Sequence, residues 1–96
     1  MGDAFSLDPL LDLKAAVPLQ SFLLLRRSTP LEIDASRVTR LGGLCLQVLL
    51  AAESTWRHDG VPFSIPAQSQ AFRNDLRQFG AADRFDDPQA SQTGAP

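Results

Sequence analysis

The sequence predicts one small α/β domain with a mostly parallel sheet and helices packed mainly on one face. The chain has 96 residues, enough for one hydrophobic core and too few for two. Apolar side chains alternate with polar ones in short stretches, and between these stretches they recur at three- and four-residue intervals. Such an alternation of strands and helices implies right-handed crossovers between parallel strands.

The first strand is predicted over residues 5–11 and the first helix over residues 13–27. Pro9 restricts the strand to an edge or a strand end, because proline lacks the N–H that a central strand needs. Within this span the helix is expected to begin near residues 14–17, so that Pro18 lies in its first turn, and the leucine pair 24–25 implies either deep packing or a partner. Its predicted buried face comprises Ala15, Leu19, Phe22, Leu23 and Arg26.

A second strand is predicted over residues 31–34 and a second helix over residues 44–58, joined by an irregular link at 36–41. Leu31 and Ile33 point to one side of the strand. Glu32 and Asp34 point to the other side. The helix is the most apolar segment of the chain and is expected to stop at Gly60. Its predicted stripe comprises Leu44, Val48, Ala51, Ala52 and Thr55, with Cys45, Leu49 and Trp56 close by.

The third strand is predicted over residues 61–65 and the third helix over residues 69–80. Ser69 is the expected N-cap of this helix, because its hydroxyl can accept a bond from an otherwise free backbone N–H. The predicted buried stripe is Phe72, Leu76 and Phe79. Residues 86–96 are polar and lack large apolar side chains, so the single domain is predicted to end at residue 85 and a disordered tail to follow.

Composition excludes several classes of function. Nine lysines and arginines against eleven acidic residues leave no basic surplus for a nucleic-acid backbone. The longest nearly apolar segment, residues 44–52, is far shorter than the roughly 20 residues that cross a bilayer, so no direct membrane insertion is expected. A single cysteine and an acidic N-terminus without a signal-peptide core predict a cytoplasmic protein.

No arrangement of residues in the sequence predicts an enzyme. His58 is the only histidine, and the 1.5 Å rise per residue places it about 20 Å from Cys45 on the same helix, which rules out a dyad within one subunit. Cys45 is either a thiol activated by the helix N-terminus or a small core residue, and the core is favoured. We therefore predict no catalytic residue, no cofactor and no metal site.

Gly42 and Gly43 precede the second helix and have two interpretations. A helix start without side chains is a natural anion site and allows another chain to approach closely, with Arg37 and Arg40 a few residues upstream. Alternatively, glycine simply permits the turn into the helix. Residue chemistry alone does not choose between these interpretations.

The sequence LEIDASRVTRL at 31–41, followed by the glycine-containing junction and LQVLL at 46–50, resembles the STAS domain of anti-sigma factor antagonists and sulfate transporter tails. GVPFSI at 60–65 and the helix after it are similar to the next strand and helix of that family, so the resemblance covers roughly residues 7–85. It implies a small STAS-like sheet, mostly parallel.

In the regulatory branch of that family an Asp-Ser pair opens the second helix, and a partner kinase phosphorylates the serine. Aligning the chain through Asp34, Val38 and Leu49 puts Gly42 and Gly43 at those two positions. The resemblance therefore implies a binding surface without the phosphorylatable serine.

The sequence RLGGLCLQ at 40–47 resembles small stand-alone STAS proteins of bacterial chemotaxis operons, which associate with the chemotaxis histidine kinase. It is less similar to the cytoplasmic STAS subunit of lipid-transport ABC complexes. An anti-sigma factor antagonist regulated without phosphorylation, with an anti-sigma-type kinase as partner, is a further alternative, and a homodimer is left open. The predicted function is non-enzymatic protein–protein interaction in bacterial signalling. The predicted partner-binding residues, called the docking surface below, are Ser36, Arg37, Thr39, Arg40, Gly42, Gly43, Leu46 and Gln47.

Overall fold

Strands and helices alternate along the chain as the sequence predicts. The computed structural model describes residues 3–85, so the tail predicted at 86–96 lies outside the described residues. The elements are β1 (Asp3–Ser6), β2 (Leu10–Leu11), α1 (Leu13–Leu25), β3 (Leu31–Ala35), β4 (Arg40–Leu41), α2 (Gly43–Asp59), β5 (Phe63–Gln68) and α3 (Gln70–Gln78).

The strands form two parallel sheets instead of one. The larger sheet has the order β1-β3-β5, and β2 pairs with β4 in a separate two-stranded sheet. The single strand predicted over 5–11 is therefore divided into β1 and β2. Pro9 lies between them, and its carbonyl oxygen accepts bonds from the backbone N–H groups of Thr39 at 2.7 Å and Arg40 at 3.2 Å. These bonds align β2 with β4 at the end of the link.

Strand β5 extends through a proline at which the sequence predicted its end. Pro66 lies inside β5, and the pairing with β3 shifts register between Glu32 and Asp34, which pair with Ser64 and Ala67. Proline is tolerated there because β5 is an edge strand and the irregular register leaves no bond for it to donate.

The helices cover one face of the larger sheet, as predicted. In the central strand, Leu31 and Ile33 are buried in the core while Glu32 is exposed on the opposite face. On β1, Ala4 and Ser6 are exposed on that same open face. The apolar residues of β3 therefore lie on the face that packs against the helices, and the polar residues alternate with them on the open face.

Helix α1 begins earlier than the sequence predicts. Asp12 is its N-cap, and the carboxylate oxygen Oδ1 accepts bonds from the backbone N–H groups of Lys14 at 3.1 Å and Ala15 at 3.2 Å. Pro18 is consequently in the second turn and not in the first. Its missing N–H leaves the carbonyl of Lys14 without its intrahelical bond.

The outer side of α1 carries apolar side chains that the core does not bury. Leu24 is 66 % exposed and Leu25 is 81 % exposed, so the deep packing considered for this pair does not occur within residues 3–85. Ala16, Leu19 and Leu23 form the buried face instead. The predicted members Phe22 and Arg26 are half-buried, with the Arg26 guanidinium 4.7 Å above the centre of the Phe22 ring.

Helix α2 is rotated by about one position from the predicted stripe. Leu44, expected in the core, is 45 % exposed, and Ala51 is also exposed. Both candidate stripes are apolar with the same helical spacing, so periodicity could not choose between them. The residues that are buried are Cys45, Leu46, Leu49, Ala52 and Trp56. Gly60 ends the helix in the left-handed conformation, as predicted.

Candidate docking surface

The docking surface follows the carboxyl end of β3 and includes the start of α2. Five of its predicted residues are exposed: Ser36, Arg37, Thr39, Arg40 and Gln47. The two glycines are half-buried. Leu46, which was expected to supply contact area, is only 5 % exposed because it packs in the core, so that expectation was wrong.

Hydrogen bonds hold both ends of the link in place. At its start, the Asp34 carboxylate accepts a bond from the Ser36 backbone N–H at 2.8 Å. At its end, the Leu41 backbone N–H donates to Asp75 Oδ2 on α3 at 2.8 Å. In the middle, the Thr39 hydroxyl donates to the Pro9 carbonyl at 3.0 Å. The exposed side chains of the link are thus presented by a fixed backbone.

Ser69 connects the link to α3. Its hydroxyl donates to the carbonyl of Val38 and accepts a bond from the Phe72 backbone N–H at 3.0 Å. Its own backbone N–H donates to the Ala35 carbonyl at 3.0 Å. The N-cap predicted from sequence is confirmed, and the same side chain also anchors the link, which local sequence could not reveal.

Replacing Ser69 should therefore destabilise the fold more than the loss of a cap alone. We expect Ser69→Ala to lower the free energy of unfolding by about 2 kcal/mol, because the Phe72 N–H and the Val38 carbonyl both lose a partner. Ser69→Thr keeps a hydroxyl and should retain most of the stability. Urea unfolding of the two variants measures the difference, and equal losses would contradict the role of the hydroxyl.

Asp34 is held in its charged form at the start of the link. Hydrogen bonds from the side chain and then the backbone N–H of Ser36 lower the pKa of the Asp34 carboxyl below its ordinary value of 3.8 and outweigh the opposing effect of burial, and the charge of Arg37 adds a smaller lowering effect. A lowered pKa in the folded state means that charged Asp34 stabilises the fold above the ordinary value. This stabilisation disappears as the pH falls through the lowered pKa.

The Asp34→Asn variant tests this dependence on pH. Unfolding free energies of both proteins measured from about pH 5 downward should converge as acid protonates Asp34 in the wild type. A constant difference between the two proteins across that range would show that the Asp34 charge does not matter.

Gly42 is required by the close approach of α2 to β2. Its backbone N–H donates to the Leu11 carbonyl at 2.9 Å, and a Cβ atom at Gly42 would lie 2.9 Å from that same oxygen. Its φ of −81° is open to any residue. Contact with the chain's own strand β2 is therefore sufficient to require glycine at this position, and the turn is not the reason.

Gly43 has a different environment. A Cβ atom there would contact the Phe79 ring at 3.6 Å, an ordinary van der Waals distance. Phe79 was predicted in the core, yet it caps α3 and is 51 % exposed. Together with exposed Leu44, it forms an apolar border beside Gly43 that the sequence analysis missed, because helical spacing alone placed both side chains inside.

A comparison of the sequence with protein-family models identifies the family. A family model described as "Mlab, STAS domain" matches residues 5–85. The chain belongs to the STAS domain family. STAS domains are in general non-enzymatic regulatory domains that interact with protein partners. No curated protein and no solved structure matches the chain.

The thiol of this STAS domain is a core group. Cys45 is fully buried, and its Sγ donates to the Asp12 carbonyl at 3.3 Å. Burial, followed by the negative charge of Asp12, raises the pKa of the thiol, which is the opposite of what activation by a helix N-terminus would give. The interpretation of Cys45 as a small core residue is confirmed.

Two kinds of feature are absent from residues 3–85 of this STAS domain. Within residues 3–85, no cluster of three or more histidine, cysteine, aspartate or glutamate side chains is arranged to hold a metal ion. In the same part of the chain, no helix has the length and apolar character needed to cross a bilayer.

Proposed function

We propose that this STAS domain is a non-enzymatic module that binds a protein partner through the docking surface. The observation that supports this most directly is the pairing of a fixed backbone with exposed cationic side chains. The link is held by bonds to Pro9, Ser69 and Asp75, while Arg37 and Arg40 extend from it into solvent. A surface ordered before binding loses little conformational entropy when the partner arrives.

The chemistry of the surface favours an acidic partner. Within residues 3–85 neither Arg37 nor Arg40 forms an ion pair, although the charge of Arg37 reaches Asp34. Gly42 offers no side chain to cap the start of α2, so this positive end of the helix is open as well. Phe79 and Leu44 supply apolar contact area beside it.

Docking should be controlled without phosphorylation at the start of α2. The family alignment places Gly42 and Gly43 where the regulatory branch has its Asp-Ser pair, and neither residue has a hydroxyl. Ser36 and Thr39 carry hydroxyls nearby but stand at other positions. Under this proposal, binding depends on the abundance of the partner or on a modification of the partner.

Two classes of partner fit the proposal. The resemblance of RLGGLCLQ at 40–47 to stand-alone STAS proteins favours the histidine kinase of a bacterial chemotaxis system. The matching family model is described by the name Mlab and not by a chemotaxis name, which favours the ATPase of a lipid-transport ABC complex. Copurification with the tagged full chain, followed by identification of the bound protein, distinguishes kinase from ATPase. The cytoplasmic location remains a prediction from sequence.

Removal of the two exposed arginines tests the surface itself. We expect the double variant Arg37→Ala, Arg40→Ala to bind the copurified partner about tenfold more weakly, and its binding to depend less on salt, because charges across an interface attract over about 10 Å at moderate ionic strength. Titration calorimetry at two salt concentrations measures both effects.

The matched control removes the same charge from two arginines that pair with Glu53 of α2, one on that helix and one after α3. Arg57 and Arg84 are exposed and both bind Glu53, away from the docking surface. The double variant Arg57→Ala, Arg84→Ala should bind the partner like the wild type. If both double variants bound the partner equally more weakly than the wild type, the result would contradict binding through the docking surface.

A further inference from the structure

One edge of the larger sheet is left open. Among residues 3–85, β1 has a neighbour on one side only, and it lies parallel to β3. The backbone N–H of Leu7 donates to the Asp34 carbonyl at 2.9 Å. Because backbone groups alternate sides along a parallel strand, the N–H and C=O groups of Ala4 and Ser6 point away from β3, towards the open edge.

The opposite edge of the sheet is protected. Pro66 removes a backbone donor from β5, and the Gln68 side chain donates to the Phe85 carbonyl at 2.7 Å, which holds the segment after α3 beside this strand. Proline and covering segments are the usual means by which sheets block the addition of a further strand. Strand β1 has no proline, and within residues 3–85 no backbone or side-chain group bonds to Ala4 or Ser6 on the open side.

An apolar cleft lies next to this open edge, between β1 and α1. Its volume is about 270 Å³, and Phe5, Leu11, Pro18 and Phe22 are among its lining residues. The rings of Phe5 and Phe22 stack with their centres 3.8 Å apart and form one wall. A cavity of about 150 Å³ already holds a benzene molecule, so the cleft has room for at least one large apolar side chain.

We propose that the β1 edge accepts an extended strand of a partner protein, with apolar side chains at alternate positions and a basic residue. A strand paired with β1 would lie about 4.8 Å from it and would direct every second side chain to the face on which α1 packs, that is, into the cleft. The backbone groups of Ala4 and Ser6 specify an extended peptide. Asp8, exposed at the rim and the only charged residue among the described ones that line the cleft, specifies the basic side chain.

This site adjoins the docking surface, since Leu11 lines the cleft and its carbonyl accepts the Gly42 N–H, but it uses a different kind of recognition. The docking surface presents side chains on a fixed link, whereas the β1 edge presents backbone donors and acceptors. The two proposals are tested by different variants, so failure of one leaves the other intact.

The test uses a blocked peptide of alternating valine and threonine with one central lysine, titrated into the isotope-labelled full chain. Chemical-shift changes should concentrate on Ala4, Ser6 and Phe22, and amide exchange at Ala4 and Ser6 should slow on binding. The same peptide with N-methyl groups on alternate amides keeps its side chains but loses backbone donors. Two such peptides are compared, one methylated on the odd-numbered amides and one on the even-numbered amides. The peptide whose methyl groups replace the N–H groups that face β1 should bind about tenfold more weakly than the unmethylated peptide.

Two variants at one position separate the backbone from the side chain. Ala4→Pro removes an N–H that does not pair with β3, so the fold should persist while peptide affinity falls several-fold. Ala4→Thr keeps the N–H and should bind like the wild type. Asp8→Asn should abolish the preference for the lysine peptide over its glutamine counterpart.

Four results would overturn the proposal. Equal peptide affinity of the Ala4→Pro and Ala4→Thr variants would show that the backbone N–H of residue 4 does not bind the peptide. Peptide-induced shifts on the docking surface, or no shifts at millimolar peptide, would show that the edge is not the site. If the chain dimerised by itself and Ala4→Pro abolished the dimer, the occupant of the β1 edge would be a second copy of this chain and not a partner protein.

Discussion

The Gly42→Ala variant is expected to unfold with a free energy about 1–3 kcal/mol lower than that of the wild type. A methyl group at this position would lie 2.9 Å from the Leu11 carbonyl oxygen, closer than real Cβ atoms come to a backbone atom. The start of α2 would have to move away, and the bond from the Gly42 N–H to Leu11 would lengthen or break. Equilibrium unfolding in urea measures the loss.

The Gly43→Ala variant is the matched control for this prediction. The added methyl group would meet only the Phe79 ring at 3.6 Å, and alanine is favoured over glycine inside helices by up to about 1 kcal/mol. This variant should be as stable as the wild type or more stable. If the two variants lost equal stability, close packing against β2 would not be the reason for glycine at position 42.

Much of the larger sheet could be predicted from the sequence. The alternation Leu31, Glu32, Ile33, Asp34 reports directly which side of β3 faces the core, because adjacent side chains of a strand point to opposite faces. The caps Ser69 and Gly60 have local signals and were predicted correctly. These features depend on residues close together in sequence.

The features that the sequence could not reveal depend on contacts between distant segments. Pairing of β2 with β4 brings Leu11 to Leu41, and two-residue strands carry no periodicity of their own. The rotation of α2 follows from its packing against α1 and β5. The sequence could not reveal it, because two neighbouring stripes of α2 have apolar residues at the same helical spacing. Pro66 was interpreted as the end of a strand because the register shift that accommodates it is a property of the paired strands.

The exposure of the predicted docking residues agrees with the sequence analysis in the link and differs at the start of α2. The exposed link was expected because polar residues separate a strand from a helix, and Ser36, Arg37, Thr39 and Arg40 are exposed. Leu46 was placed there because it follows the glycines in sequence, but helix geometry turns it inwards. Phe79 and Asp75 reach this region from α3 and have no sequence proximity to it.

Binding of the partner should be strongly weakened by a negative side chain at the start of α2. We expect Gly43→Glu to weaken binding more than tenfold, because the new carboxylate would lie near Arg37 and Arg40 and compete with acidic groups of the partner. The variant should still fold, since a Cβ at this position makes an ordinary contact and acidic residues are favourable in the first turn of a helix.

His58→Glu is the control for that variant. It adds the same charge to the same helix, on an exposed side chain in the last turn of α2. The most direct test of the docking surface is therefore the affinity of the copurified partner for the wild type and these two variants, measured by titration calorimetry on folded proteins. Loss of binding by Gly43→Glu alone is the predicted result, and unchanged binding by Gly43→Glu would contradict docking at the start of α2.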